Sequence, residues 1–158
     1  MLPTSRRHHA WLLVALVACA CSKAAPAPDA DPAIAEFRST EREVLHTFNQ
    51  LLHAQKANQL DELGLGAAIT NQVLPKWREL RTHFTAAPVP AGNAELHTAI
   101  GRYLAERETA WTAYAAGLAA TGDEARTHYA AYHEHDAAAD AAAREVGAMF
   151  RERAANPR

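Results

Sequence analysis

A helical spacing of apolar residues runs through most of this chain, from residue 31 to about residue 150. Large apolar side chains recur every three or four positions, which places them on one face of an α-helix. The spacing is interrupted near Asp61, across the proline-containing residues 86–92, and at Thr121-Gly122-Asp123. No segment alternates between apolar and polar residues, so no β-strand is predicted. The sequence therefore predicts an all-α fold of four amphipathic helices joined by short turns.

The first two predicted helices carry proline at informative positions. Asp31-Pro32 is typical of a helix start, because aspartate caps free N–H groups and proline fits the first helical position. This helix is predicted to run to about Gln59. The second helix is predicted over 65–84 and contains Pro75. Since proline lacks an N–H and crowds the preceding turn, a kink or a break is expected there.

The last two helices are predicted to form a hairpin. They cover about residues 96–118 and 125–150, on either side of Thr121-Gly122-Asp123. Gly122 suits the left-handed position that ends a helix, and Asp123 can cap the next one. Because all connections are short, an up-down-up-down four-helix bundle with a kinked second helix is predicted over residues 31–155.

The aromatic residues are predicted to form the core. Hydrophobic residues make up 49% of the chain, but many of them are alanine. Alanine favours helix and buries little surface, so Trp77, Trp111 and the tyrosines, Tyr132 among them, must fill the interior. The alternative is that these rings line a pocket for a small apolar ligand.

Folding helices three and four about Gly122 sets their register. Residues equally distant from the turn lie level, so Tyr114 is expected beside Tyr129, and Trp111 beside Tyr132. Arg107 then faces Asp136 on the apolar side, where charged residues are rarely buried unless paired. Glu41 lies on the apolar stripe of the first helix and is a third candidate for this interior.

Two interpretations of Arg107 and Asp136 are open. In the first they form a structural ion pair, and Asp136→Ala then destabilises the domain by roughly 3–5 kcal/mol. In the second Arg107 presents its guanidinium to a carboxylate or phosphate ligand while Asp136 orients it.

Histidines cluster in residues 128–136. Two metal ligands on one helix need a spacing of three or four to share a face. His133 with Asp136, and Asp136 with Asp140, meet that requirement and are weak metal-ligand candidates. The favoured interpretation is a polar helix flank with no metal and no cofactor.

The N-terminus is typical of an export signal. Arg6 and Arg7 precede a continuous apolar run, WLLVALVA, which ends at Ala18. This run is shorter than the ~20 residues of a membrane span, so residues 1–18 are predicted to be a signal peptide. Residues 19–30 are rich in alanine and proline and predict a flexible tether.

The end of the apolar run, Leu16-Val17-Ala18-Cys19, resembles the lipobox of bacterial lipoproteins. This resemblance implies cleavage before Cys19 and acylation, including palmitate, on that cysteine; Cys21 is the weaker alternative. Ala20 rather than aspartate follows Cys19, which in such lipoproteins implies outer-membrane sorting. The expected location is the cell envelope, with the helical domain facing the periplasm and its lipid in the membrane.

Two further segments are similar to small helical domains of uncharacterised bacterial lipoproteins. They are residues 73–78, VLPKWR, and residues 103–111, YLAERETAW. The similarity covers about residues 36–140. It implies the helical fold and transfers no catalytic residue.

The net charge and the absence of catalytic motifs argue against two classes of function, nucleic-acid binding and catalysis. Without residues 1–18 the chain has 14 basic and 18 acidic side chains, a net charge of −4. Nucleic acid is therefore not expected as a partner, because binding it requires a basic surface. No nucleophile motif or phosphate loop occurs, so the chain is not expected to be an enzyme.

The first hypothesis is a non-enzymatic interaction or scaffold module for another envelope protein. The alternative is a bundle that binds a small ligand or a metal through Arg107, Asp136 and the Tyr/Trp cluster.

Overall fold

The computed structural model describes residues 31–156, and the predictions for the signal peptide, for Cys19 and Cys21, and for the tether lie outside them. No strand occurs in this part of the chain, so the predicted all-α class is confirmed. The elements are α1 (Pro32–Lys56), α2 (Glu62–Ala68), a π-helical turn (Ile69–Val73), α3 (Leu74–Ala86), α4 (Ala94–Ala119) and α5 (Gly122–Ala155).

Aspartate caps begin both α1 and α2. The Asp31 carboxylate accepts the backbone N–H groups of Ala33 and Ile34, at 3.1 and 3.4 Å, which confirms the predicted start of α1. The Asp61 carboxylate accepts the N–H of Gly64 at 2.7 Å. Because that cap lies at Asp61, the second helical segment starts at Glu62, earlier than the predicted Leu65.

A π-helical turn precedes Pro75 in the second helical segment. In this turn the N–H of Leu74 bonds to the carbonyl of Ile69, five residues back. Pro75 has no N–H of its own, and it lies in the first turn of α3, where proline is tolerated. The helical path therefore has a widened turn just before the proline and then continues to Ala86.

The connection between α4 and α5 is as short as predicted, but its cap differs. Gly122 has a φ of 62°, the left-handed conformation expected of it. The cap position belongs to Thr121, one residue before that glycine, and Asp123 lies inside the first turn of α5. The predicted capping role of Asp123 is wrong: this side chain forms an ion pair with Arg126, one turn further along.

The core draws its large side chains from α1, from the second helical segment and from α4. Small residues line the contact with α5, where the buried residues are Ala139, Ala142 and Val146. Small side chains let two helix backbones approach closely, and α5 packs mainly against α4. A second close approach occurs at Gly66 of α2, where a Cβ would lie 3.1 Å from the carbonyl oxygen of Ala115.

None of the helices between residues 31 and 156 has both the length and the apolar character needed to cross a membrane.

Candidate functional site

Arg107 lies at the centre of a charged cluster between α4 and α5. Its Nη1 donates to Asp136, and its Nη2 donates to Asp140 at 2.6 Å. The Arg107 side chain is 12% exposed, whereas the Asp136 and Asp140 side chains are 30% and 54% exposed. The structure thus brings together the predicted pair. It adds Asp140, which the sequence had suggested as a metal ligand, because residues four apart share a helix face.

Tyr103 and Glu41 close the cluster on the side of α1. Tyr103 lies beside Arg107, whose guanidinium carbon is 5.8 Å from the centre of the tyrosine ring, and its hydroxyl is influenced by the Glu41 carboxylate. Burial and the neighbouring Glu41 charge raise the pKa of Tyr103, so this hydroxyl stays protonated. Burial also raises the pKa of Glu41, against the opposing effects of the nearby Tyr103 hydroxyl and the Arg107 charge. Arg107, its two aspartate partners, Tyr103 and Glu41 therefore form one electrostatically linked cluster to which three helices contribute.

The electrostatics of this cluster favour a structural role for Arg107. Burial acts to lower the pKa of Arg107, but the hydrogen bond to Asp140 and the nearby carboxylates outweigh it and the pKa is raised. Three carboxylates surround one guanidinium, and both terminal nitrogens are engaged. Each terminal nitrogen of the guanidinium is therefore bonded to a carboxylate of α5. Its Nε is buried without a hydrogen-bond partner.

The two tryptophans that the sequence suggested as site residues lie in the packed core. Trp77 and Trp111 are 0% and 1% exposed, with ring centroids 4.9 Å apart. The Trp77 Nε1–H donates to the carbonyl of Leu104 at 2.9 Å, so its polar atom is satisfied. Tyr103 packs edge-on against Trp77 at 5.7 Å. These contacts use both faces and edges of the rings for packing.

The tyrosines near the α4–α5 turn pair differently from the predicted register. Tyr114 and Tyr129 lie level as expected, with centroids 6.3 Å apart. Tyr132 packs against Tyr114 at 4.8 Å, whereas Trp111 stacks on Phe48 of α1 at 4.8 Å. The predicted pairing of Trp111 with Tyr132 is therefore wrong. The ring of Trp111 packs instead against Phe48 of α1, which lies far away in the sequence.

The weak metal-ligand candidates do not converge. His133 is exposed, with its ring beside Tyr132. Asp136 and Asp140 point to Arg107 instead. No group of three or more potential ligands lies together within residues 31–156. A neighbouring histidine, His135, pairs with Glu106 of α4 at 2.7 Å.

A second polar cluster, which the sequence did not suggest, lies at the start of α1. The carboxylate of Asp31, 1% exposed, accepts from Asn93 Nδ2 and pairs with His97 Nε2, each at 2.8 Å. Arg153 of α5 donates to the Asn93 side chain at 2.5 Å and to the carbonyl of Gly92 at 3.0 Å. The partner of His97 is 66 residues away in the sequence, so no local pattern indicates this contact.

Asp31→Ala is expected to cost about 2–4 kcal/mol of unfolding free energy. The change removes a helix cap and leaves buried donors of Asn93 and His97 without an acceptor. Asp31→Asn keeps an oxygen for the cap and is the matched control, with a smaller expected loss. Urea denaturation of both variants at neutral pH measures the difference. Equal losses in the two variants would contradict this assignment.

The lowered pKa of the Asp31 carboxylate leads us to expect that acid destabilises the fold. Burial alone would raise the pKa of Asp31, but the hydrogen bonds from His97, Asn93 and the backbone N–H of Ile34 lower it below its usual value. A lowered pKa stabilises the fold above the ordinary aspartate range, and this stability is lost as the pH falls through the folded-state pKa. Between neutral pH and about pH 3, the wild type should therefore lose more stability than Asp31→Asn.

No known protein family, curated protein or solved structure matches the chain. Residues 31–156 form an all-helical domain with a charged cluster between α4 and α5.

Proposed function

We propose that this protein is a lipoprotein of the bacterial cell envelope, anchored through lipid on Cys19 after removal of residues 1–18. The proposal is supported by the order of sequence features: Arg6 and Arg7, a short apolar run, and Leu16-Val17-Ala18-Cys19. Ala20 supports placement in the outer membrane. Residues 19–30 then tether a helical domain of residues 31–155 that faces the periplasm.

The helical domain acts in this proposal as a non-enzymatic interaction or scaffold module for another envelope protein. One observation carries it: apart from the Nε of Arg107, the polar side-chain atoms buried between residues 31 and 156 have partners within the protein. Both terminal nitrogens of Arg107 bind aspartates of α5, and the Trp77 N–H is satisfied within the core. With the interior committed to holding helices together, recognition is left to the outer helix faces.

The helices of this module follow an up-down-up-down order in the proposal, with a bend at Pro75. Ion pairs support antiparallel neighbours. Arg107 meets Asp136 while Arg102 meets Glu145, so residue numbers rise along α5 as they fall along α4. Lys76 and His83 of α3 likewise meet Glu43 and Glu36 of α1. The π-helical turn before Pro75 is the kind of irregularity at which helices bend.

The anchor is tested by Cys19→Ser. In cells supplied with a clickable palmitate analogue, the wild type is expected to incorporate the label and to sediment with outer membranes. Cys19→Ser should lose the label entirely, because Cys19 is the proposed site of acylation. Cys21→Ser is the matched control and should retain the label and the membrane location. Retained labelling of Cys19→Ser would exclude Cys19 as the acylated residue.

The interaction role is tested by photo-crosslinking in cells at exposed positions on different elements. Suitable positions are Leu63 on α2, Val89 between α3 and α4, and Thr112 on α4, all of which are exposed. A defined partner should crosslink reproducibly from one face and not from the others. Crosslinks from no position, or the same background from every position, would refute the interaction role.

A second candidate is a bundle that binds a small ligand or a metal through Arg107, Asp136 and the Tyr/Trp cluster. The observation that favours it is the buried Arg107 Nε, a donor without an acceptor. A native mass spectrum of the acylated protein in detergent tests it. A mass excess that disappears in Asp136→Ala supports a ligand at this site, and a bare mass for the wild type excludes a stably bound one.

A further inference from the structure

A groove of about 380 Å³ runs along the outer face of α4, between α3 and α5. Small side chains of α4 form its floor, among them Thr112, Ala113 and Ala116. Arg78 and Arg81 of α3 form one wall, and His128 of α5 lies on the other. This α3–α4–α5 groove is distinct from the Arg107 cluster, which lies between α4 and α5 on the side of α1.

One carboxylate orients both arginines of this groove. Glu108, whose side chain is 16% exposed, accepts from Arg78 Nε at 2.9 Å and from Arg81 Nη1 at 2.7 Å. A guanidinium has five N–H donors, so each arginine uses one of them here. The two side chains are 50% and 45% exposed, and the remaining donors are free to meet solvent or a ligand. Holding an arginine in place lowers the entropy lost when it binds an anion.

The charge of the groove wall is positive. Two guanidinium groups meet one carboxylate, which leaves a net positive charge beside the small-residue floor. The imidazole of His128 faces the groove, and Glu124 lies 3.9 Å from it at the outer edge of α5. The wall formed by α3 therefore attracts carboxylates, although the mature chain as a whole is acidic.

The groove suits a protein segment better than a small free anion. All of its lining residues lie within helices, away from the first turns. Their backbone N–H groups are therefore committed to helical hydrogen bonds, and no N-terminal set of N–H groups is available to enclose a phosphate. Two exposed arginines alone hold a small anion weakly in water. A segment lying along α4 adds contacts with the floor to the ion pairs at the wall.

We propose that the α3–α4–α5 groove is a docking site for an acidic segment of a partner protein, whose carboxylates bind Arg78 and Arg81. The proposal rests on the interaction role given above and specifies its surface and the chemistry of its partner.

Fluorescence anisotropy with a defined acidic peptide tests the groove. The probe is a labelled peptide of Glu-Ala repeats, titrated with the full acylated protein in a neutral detergent; the same peptide with Gln for Glu is its control. The wild type is expected to bind the Glu peptide and not the Gln peptide. Arg78→Gln together with Arg81→Gln should weaken binding by about tenfold or more.

A matched double variant controls for general charge. Arg102→Gln with Arg126→Gln removes the same two positive charges from side chains that are 52% and 76% exposed and lie outside the groove. Its affinity should stay within about twofold of the wild type. Equal weakening by both double variants would overturn the proposal, since it would show that the peptide responds to the overall positive charge of the protein and not to this groove. Failure of the wild type to bind the Glu peptide would overturn it as well.

A second pair of variants leaves the arginines intact. Thr112→Glu places a negative charge and extra volume on the groove floor, whereas Thr98→Glu makes the same change at another exposed position of α4. The proposal requires loss of peptide binding for Thr112→Glu alone. Displacement of the peptide by inorganic phosphate at the same concentration as by unlabelled peptide would overturn the assignment to a protein segment.

The peptide-binding and photo-crosslinking experiments together distinguish failure of the groove proposal from failure of the interaction role. If peptide binding is absent but photo-crosslinks arise from Leu63 or Val89, the groove is overturned and the interaction role stands. If crosslinks are absent from every face, the interaction role is refuted whatever the peptide does.

Discussion

Trp77→Ala is expected to reduce the unfolding free energy by about 3–5 kcal/mol, one of the two largest losses that we predict. Trp77 is fully buried and packs between Tyr103 and Trp111, with ring centroids at 5.7 and 4.9 Å. Truncation removes one of the two largest side chains of the core and leaves a cavity beside the Tyr103 and Trp111 rings. The expected loss is the transfer free energy of the indole plus the cost of the cavity that remains.

Chemical denaturation followed by far-UV circular dichroism measures this loss. Trp77→Phe is the matched control: it keeps an aromatic ring but lacks the N–H that donates to Leu104. Its expected cost is about 1–2 kcal/mol, from one lost hydrogen bond and a smaller volume change. A loss below about 1 kcal/mol for Trp77→Ala would show that this core tolerates cavities and that its packing is not the source of stability assumed here.

Simultaneous loss of Asp136 and Asp140 is expected to have the second large effect. With both carboxylates replaced by alanine, a guanidinium that is 12% exposed loses both of its ion-pair partners. Removing all partners of a buried charge costs about 3–5 kcal/mol. The Tyr103 and Trp111 rings remain beside the guanidinium, at 5.8 and 6.0 Å, so we expect a value near the lower end of this range.

The single variants should cost much less than the double one. Asp136→Ala was expected from the sequence to cost the full 3–5 kcal/mol, but the structure corrects this value because Asp140 also binds Arg107. We now expect about 1–2 kcal/mol for Asp136→Ala and less than about 1 kcal/mol for the more exposed Asp140→Ala. A double-mutant cycle should then show a loss greater than the sum of the two.

Asp123→Ala provides the control for this cycle. It removes the same carboxylate from α5 at a position that is 88% exposed and paired with Arg126. Its effect should stay within about 0.5 kcal/mol, as for ordinary surface changes. Strictly additive losses for Asp136→Ala and Asp140→Ala would mean that neither aspartate compensates for the loss of the other as an ion-pair partner of Arg107.

Patterns within one helix or across one tight turn could be predicted from the sequence. The start of α1 at Asp31-Pro32 follows from capping chemistry, and the all-α class follows from the apolar spacing. The meeting of Arg107 with Asp136 follows from folding two helices about a glycine that accepts a positive φ. Each of these depends on interactions between residues close along the chain, or on a register that a short turn determines.

Contacts between distant segments were decided by the tertiary structure. Asp140 became an ion-pair partner only once Arg107 was placed against α5, and Phe48 replaced Tyr132 beside Trp111 because α1 packs there. Asp31 and His97 are separated by 66 residues, and no local pattern relates them. The groove beside Arg78 and Arg81 likewise needs three helices to exist. Helical periodicity determines which face of each helix is buried, but the partner of each buried side chain depends on how the helices pack together.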